Sequence, residues 1–539
     1  MIFQSRIQTT GETFETNKSD MLKKVAELRS FEARAEAASE KRRARFEERG
    51  QLTPRERLSA LLDPGLPFLE LYNMASFLVD DPDPDTSIPG ASIIMGIGFI
   101  SGVRSMVFVD DSGIAAGAAT TQTVQKAVAC LGISLKQKLP FVHLVESAGA
   151  NLMTYTVELW ANGGGMYSGL AKLSAAGIPV VTVLHGASTA GGAYQPGMSD
   201  YVIGVKKNGM AMLAGSALVR AATGEISEDR VLGSAEMHSE KTGLVEFLAE
   251  DDAHGIEIAR DVVSRLGWND KVNVQTSKTF QKPKYAPDQV AGIVPIDYKK
   301  PYDVREVVAR LVDDSDFIDV KPDYGSATVC MLARVFGQDI GIIGNNGPID
   351  PDGAAKVTHF LQLCDQSQKP VVFLNNTTGY MVGVEYEHAG MIKHGSKMIQ
   401  AVTNLRVPKI SLYIGASFGA GNYGMCGHAF DPDFLFSWPN AVTGVMGGEQ
   451  AALTMEQVMT ISAKKKGKEV DPEKMEKQRV AIAEHFDKQS GAFYTSGRLL
   501  DMGIIDPRDT RKVLGFCLET CWEAKHRKLQ GNAFGVARI

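Results

Sequence analysis

The sequence has no Cys-x-x-Cys pair, no apolar run long enough to span a bilayer and no surplus of basic charge, and each absence removes a class of function. Six cysteines (Cys130, Cys330, Cys364, Cys426, Cys517 and Cys521) are scattered over 539 residues, none with a nearby histidine at zinc-finger spacing. That pattern argues against a disulfide framework or zinc finger, and reduced thiols in the cytoplasm are the expectation. Cys517 and Cys521 share one face of a predicted helix, where core packing accounts for them. The opening MIFQSRIQTTGETFE has no apolar signal core, so a soluble protein is expected, neither exported nor membrane-spanning. A net charge of −6 leaves no footprint for nucleic acid. The phosphate loop G-x-x-x-x-G-K-[ST] and the nucleophile elbow G-x-S-x-G are also missing. Gly96, Gly98 and Gly102 are spaced one residue too far for a dinucleotide fingerprint and lead into the strand-like SMVFVDD, which predicts a strand-turn-strand corner. His388 and His394 are six apart, a spacing that puts no two ligands on one helical face. His185, at a strand end, is read as a packed histidine, with a place lining a cleft as the alternative.

What the chain does have is one small-residue stretch written twice. Residues 187–194 read ASTAGGAY and residues 416–423 read ASFGAGNY; Ala187, Ser188, Gly192 and Tyr194 recur 229 positions on (416 − 187) as Ala416, Ser417, Gly421 and Tyr423. Each copy follows a β-branched apolar run bounded by Pro and Gly, VVTVLHG ending at Gly186 and KISLYIG ending at Gly415, with the make-up of a buried strand. Upstream, LPFVHLVESAG ending at Gly149 parallels KPVVFLNNTTG ending at Gly379, offset by 230 (379 − 149). Two strands with a helical segment between them are thus repeated nearly in phase. The period is far too long for a solenoid unit and marks a duplicated domain. A chain of 539 residues exceeds what a single core accommodates.

The division expected is a helical N-terminal arm over 1–65, a first domain over 66–270, a linker over 271–299 and a second domain over 300–539. The arm rests on the amphipathic MLKKVAELRSFEARA and the short PRERLSALL, and the linker on its Pro, Gly and charge. Residues 80–85 alternate Asp with Pro and read as a surface loop. The charged AKKKGKEVDPEKMEKQRVAIAEHFDKQ predicts a helix with one solvent face, and a helical tail follows from Arg511. Alternating strands and helices imply an α/β fold with a parallel-rich sheet in each half.

Neither half offers a conspicuous catalytic side chain, which leaves the backbone. Where a strand ends and small residues open a helix, the first amides have no intrahelical acceptor and the dipole behind them favours an anion. Gly191 and Gly192 stand at that place in the first copy, Ala420 and Gly421 in the second, with no side chain large enough to block a reacting oxygen. Small residues also permit close helix–sheet packing, and for one copy alone the two readings stand level. The duplication favours the first, because two holes suit a reaction with two oxyanions.

Several longer stretches carry a resemblance: RGQLTPRERLSALLDPGLPFLEL, STAGGAY and AGSALVRAATGEISEDRVLGSAEMHSEKTGLVEF in the first half, then NNTTGYMVG, EHAGMIKHGSKMIQAV, GASFGAGNYGMCGHAFDPDFLFSWPNA and VMGGEQAA in the second. From about residue 17 onward the chain resembles the carboxyltransferase (β) subunits of biotin-dependent acyl-CoA carboxylases, most of all the methylcrotonyl-CoA and geranyl-CoA group. The resemblance implies two tandem crotonase-like (ClpP/crotonase) domains. Gly191 and Gly192 match the pair whose amides face the acyl-CoA thioester oxygen, and Ala420 and Gly421 the pair facing the biotin ureido oxygen. It further implies that the N-terminal domain of one subunit and the C-terminal domain of another form each site. In such enzymes carboxybiotin brings both the carbon dioxide and the base, which explains the missing side-chain base. There is no A-M-K-M-like biotinylation sequence and no ATP-grasp pattern, so biotin arrives on an α subunit; the family's oligomer suggests a homo-oligomeric ring of six β subunits.

The chain departs from its methylcrotonyl-type relatives at NGGGMYSG (residues 162–169), where they carry bulky aromatics and a basic residue, and at residues 110–123, which lack their Lys-Gly-Gly. Either these stretches border an acyl pocket widened for geranyl-CoA or a related large enoyl-CoA, or they are surface loops. Propionyl-CoA-type α-carboxylation and the carboxyltransferase component of a biotin-dependent decarboxylase are the alternative activities. An enoyl-CoA hydratase would need a carboxylate pair at one hole, and a non-enzymatic scaffold would need neither hole.

Overall fold

The computed structural model describes residues 2–151, 153, 155–272, 279–467 and 471–532. The chain divides into two compact units. One comprises Ser30–Val274, Gly497–Leu499 and Thr520–Ile539; the other comprises Met1–Arg29, Gln275–Ser496 and Leu500–Glu519.

In the first of these, the strands of the main sheet, in chain order, are β1 (Leu69–Glu70), β2 (Ile93–Ile100), β3 (Val103–Asp110), β4 (Phe141–Ser147), β5 (Val180–Thr189), β6 (Tyr201–Val205), β7 (Met210–Met212) and β8 (Phe247–Ala249). The sheet runs β1-β2-β3-β4-β5-β6-β8, with β7 also on β5. Pairing is antiparallel from β1 to β3 and parallel thereafter. Every residue of β3 and β4 is buried, as a strand covered on both faces requires. The glycine run near 96–102 is the corner its sequence suggested: Ser101 and Gly102 both take positive φ in the tight turn between β2 and β3.

The other unit repeats the plan with β9 (Phe317–Val320), β10 (Thr328–Val335), β11 (Gln338–Asn345), β12 (Val371–Thr377), β13 (Lys409–Phe418), β14 (Phe434–Ser437) and β15 (Val442–Gly444). The order is β9-β10-β11-β12-β13-β14, with β15 on β13. The likeness extends to irregularities. The β4–β5 ladder shifts register between Val145 and Ser147, and the β12–β13 ladder between Asn375 and Thr377, the equivalent place. The long strands also change partner alike: β5 pairs with β6 and then β7, β13 with β14 and then β15. At the changeover a Cβ on Gly186 would strike the Glu146 side chain at 2.5 Å, and one on Gly415 the Asn376 amide. Glycine is needed at both because the side chain of the bulged neighbouring strand lies across the backbone there.

Helix formation follows local chemistry. The 29-residue helix Glu12–Glu40 and the helix Pro54–Leu61, closed by a Thr53–Glu56 capping box with Pro at its first position, make up the expected arm. Residues 290–294, assigned from sequence to a linker, are instead buried; Val290–Ile293 is helical, and Gly292 lies against the Phe14 ring. Residues 273–278 of that linker lie outside the described residues. The tail helix Thr510–His526 forms as read, but Thr520–Ile539 belongs with Ser30–Val274 rather than with the second repeat. There Glu523 pairs with Arg104 at 3.0 Å, and the Arg527 guanidinium lies 4.8 Å from the Trp268 ring centre. Cys330, Cys364 and Cys426 are core residues with Phe360, Phe373 and Met398, and burial pushes the Cys364 thiol up to about 12. No described helix is long and apolar enough to cross a membrane.

Candidate active site

The two small-residue stretches occupy equivalent places. After β5, Ala190 takes φ 53° and opens the 3-10 turn Ala190–Ala193; after β13, Gly419 takes φ 56° and opens the helix Gly419–Gly424. A left-handed residue ahead of a right-handed turn aims successive amides to one side, the geometry of an anion-binding nest. Among the described residues no acceptor partners the amides of Gly191, Gly192, Ala420 or Gly421. Ala420 is exposed and Gly191 partly so, whereas Gly192 and Gly421 are buried.

Those two buried glycines also serve packing. A Cβ on Gly192 would stand 3.0 Å from Ser188 Oγ and 3.4 Å from Ser147 Cβ; one on Gly421 would stand 2.8 Å from the Gly379 Cα and 3.1 Å from Thr377 Cγ2. Close packing therefore accounts for glycine at both positions, while the amides of the same turns have no acceptor among the described residues.

Both departing stretches lie beside the first of these turns. Residues 162–169 fall inside the helix Val157–Ala175, not in a surface loop, and the Tyr167 hydroxyl occupies the place a Cβ on Gly191 would take. Burial raises the Tyr167 pKa, so its phenol stays a hydrogen-bond donor at neutral pH. Tyr194 meets that ring edge-on at 5.7 Å. Around Gly163 and Gly164 there is open space, with no atom within 4 Å of where a Cβ would stand. From residues 110–123, Gly117 accepts through its carbonyl from the Ala148 amide (3.3 Å) and from Ser147 Oγ (3.4 Å).

Sequence reasoning missed a buried cluster of charges in the same unit. Arg57 is fully buried, donating to Glu146 Oε2 at 2.7 Å and Asp252 Oδ2 at 2.8 Å. His185 Nδ1 lies 2.9 Å from Asp252 Oδ1, and Gln51 donates to the His185 carbonyl at 2.9 Å. Burial opposes ionisation of Asp252, but its hydrogen bonds to His185 and Arg57 and the Arg57 charge outweigh it and hold the carboxyl below the usual carboxylate range. Burial, then the Arg57 charge, lowers the His185 pKa against the pull of Asp252 and Glu146, so the imidazole is neutral. His185 is thus the packed histidine, fully buried beside Asp252. Removing one partner of such a buried pair strands the other: Arg57→Leu should cost about 3–5 kcal/mol of unfolding free energy, read by urea denaturation.

The pH dependence has a definite sign. A histidine whose folded pKa is depressed contributes stability fully above its unfolded pKa of about 6.5, and that contribution is lost as pH falls from there toward the folded value. The unfolding free energy should therefore fall below pH 6.5, and His185→Gln should flatten that fall; an unchanged slope would assign it to other groups.

His388 ends the helix Val384–His388 and His394 lies in the separate helix Met391–Asn404. Among the described residues no three metal-binding side chains cluster.

The family model of the carboxyl transferase domain matches residues 45–536. The chain is 43% identical over 541 residues to a probable biotin-dependent acyl-coenzyme A carboxylase β2 subunit of Mycobacterium tuberculosis, covering 100% of both. It is 39% identical over 548 residues to a mitochondrial methylcrotonoyl-CoA carboxylase β chain of Arabidopsis thaliana, covering 100% of this chain and 92% of that one. The crystal structure of the geranyl-CoA carboxylase β subunit of P. aeruginosa superposes with a TM-score of 0.93 at 46% identity, over 100% of both chains. Repeated crotonase-like sheets, a match across nearly the whole chain and relatives of equal length agree: the chain belongs to the carboxyl transferase family, as a carboxyltransferase β subunit of the biotin-dependent acyl-CoA carboxylases of methylcrotonyl-CoA and geranyl-CoA type.

Proposed function

We propose that the chain passes a carboxyl group from carboxybiotin to the γ carbon of an enoyl-CoA, the amides of Gly191 and Gly192 holding the thioester oxygen and those of Ala420 and Gly421 the ureido oxygen. What carries the reading is the pair of unpartnered amide sets at equivalent places in two like sheets, each opened by a left-handed residue. Neutral N–H donors fit an oxygen that binds uncharged and gains negative charge in the transition state. Carboxybiotin, when bound, supplies the carboxyl group and the proton acceptor. The chain's own residues then stabilise charge at two oxygens and hold the reactants together. Each well-placed donor is worth about 3–4 kcal/mol and proximity roughly 7–11 kcal/mol, which reaches the roughly 8–23 kcal/mol that enzymes supply. In a conjugated enoyl thioester the charge spreads back from the γ carbon to the thioester oxygen, so one hole serves that position.

The acyl group is a long one, of the geranyl-CoA kind. Open space at Gly163 and Gly164, on the helix that brings Tyr167 over Gly191, supports this, as does the likeness to the P. aeruginosa geranyl-CoA carboxylase subunit. With ATP and bicarbonate, the αβ complex should turn over geranyl-CoA faster than methylcrotonyl-CoA; a clear preference for the shorter substrate ends the long-chain reading. Biotin rides on a separate α subunit, six β chains form the core and the complex is cytoplasmic, where buried thiols such as Cys130 and Cys364 stay reduced. Purification through the biotin group should bring down this chain with a biotin carboxylase. Recovery with a membrane partner would favour the decarboxylase direction.

A further inference from the structure

The duplicated turns are alike in backbone and opposite in what holds them. In the second unit the turn closes into a polar ring. Asn422 Nδ2 donates to Ser417 Oγ at 2.8 Å and to the Tyr413 hydroxyl at 3.0 Å. Ser417 Oγ donates to Asn375 Oδ1 at 3.0 Å, and Asn375 Nδ2 donates to the Met425 carbonyl at 3.1 Å. The His428 amide donates to Tyr413 as well, at 3.2 Å. Ser417 lies just before the turn and Met425 just after it, so the ring ties both ends of Gly419–Gly424 to β12 and β13. Asn422 Oδ1 sits where a Cβ on Gly427 would stand, which fixes the ring from below.

At the matching positions of the first unit the partners are apolar. Asn422, Asn375 and Tyr413 are replaced by Ala193, Val145 and Leu184 (422 − 229, 375 − 230 and 413 − 229), which pack together in one apolar cluster with Ala211. Ser188, the counterpart of Ser417, keeps a fully buried hydroxyl with no partner. Apolar packing is non-directional, whereas hydrogen bonds fix orientation. The second turn is therefore held in one orientation, and the first is not held in that way.

We propose that Asn422 is a positioning residue, holding the Ala420 and Gly421 amides aimed at the oxygen they receive; with the hole assignment given above, on which this rests, that oxygen belongs to biotin. Asn422 acts through Ser417 and Tyr413, the two groups to which its side-chain amide donates. Asn422→Ala removes both donated bonds, Asn422→Asp keeps the size and loses the donors, and Tyr413→Phe removes one bond of the two.

The test is transfer from the carboxylated acyl-CoA product to free biotin, catalysed by the assembled β core. Acyl-CoA affinity is measured separately by calorimetry, and folding by thermal melting. Asn422→Ala and Asn422→Asp should lower kcat about tenfold or more and raise the KM for biotin, Tyr413→Phe should do so to a smaller extent, and acyl-CoA affinity should stay within about twofold. Unchanged kinetics per folded site, with only a lower melting temperature, would make Asn422 a structural residue and overturn the proposal. A shift in acyl-CoA affinity with no change in the KM for biotin would overturn it differently, by showing that the two holes had been assigned the wrong way round. Should the alanine variant not fold, Tyr413→Phe decides between these outcomes.

Discussion

Gly192→Val and Gly421→Val, made separately, are each expected to lower carboxyl transfer by about 10²–10³-fold or more, with assembly of the β core retained. The reason lies in what their missing side chains would meet. A Cβ on Gly421 falls 2.8 Å from the Gly379 Cα, which is backbone and cannot swing aside, so the helix Gly419–Gly424 must lift from the end of β12. One on Gly192 falls 3.0 Å from Ser188 Oγ and 3.4 Å from Ser147 Cβ, a tight but less rigid wall. In both cases the added carbons push on the inner face of the turn and swing its amides off target. Overpacking of this kind costs about 1–3 kcal/mol, too little to unfold a domain of this size, so gel filtration and circular dichroism should show a normal core beside a near-dead enzyme. Gly421→Val should be the more severe of the two. A scaffold without chemistry would tolerate both, and near-normal turnover in either variant would remove these amides from the reaction.

How far the sequence could foretell this depended on the kind of information each feature carries. The repeat was legible because its offset is constant, and equal offsets survive as equal strand orders, down to the matching register shifts beside Ser147 and Thr377. The Gly96–Gly102 region was legible because a tight turn imposes local backbone demands. The cluster of Arg57, Glu146, His185 and Asp252 was not: its members join positions 195 apart (252 − 57), and no periodicity records which charge meets which. Glu146 sits in the apolar run LPFVHLVESAG, which gives no sign of what its charge meets. The contrast between Ala193 and Asn422 was visible in the two copies, but a difference inside a repeat looks like drift until a three-dimensional ring gives it partners. The burial of residues 290–294 went unforeseen because Pro and Gly nearby mark turns, and turns do not reveal what a segment packs against.

Mixing the two valine chains should restore activity that neither possesses. If each site takes its Gly191–Gly192 hole from one subunit and its Ala420–Gly421 hole from a partner across a two-fold axis, a pair of one Gly192→Val chain and one Gly421→Val chain has one doubly damaged site and one intact site. Equal co-expression makes half of all pairs mixed, so about a quarter of sites are intact, and turnover should approach a quarter of wild type from variants down about 10²–10³-fold. If both holes of a site come from one chain, every site carries a lesion and mixing restores nothing. The reciprocal mixture separates the cases again. Equal parts of wild type and a Gly192→Val/Gly421→Val double variant leave only wild-type pairs intact in the shared arrangement, about a quarter of sites, but about half in the unshared one. The shared arrangement therefore predicts that both mixtures converge on the same activity, because what counts is how often an undamaged hole of one kind meets an undamaged hole of the other.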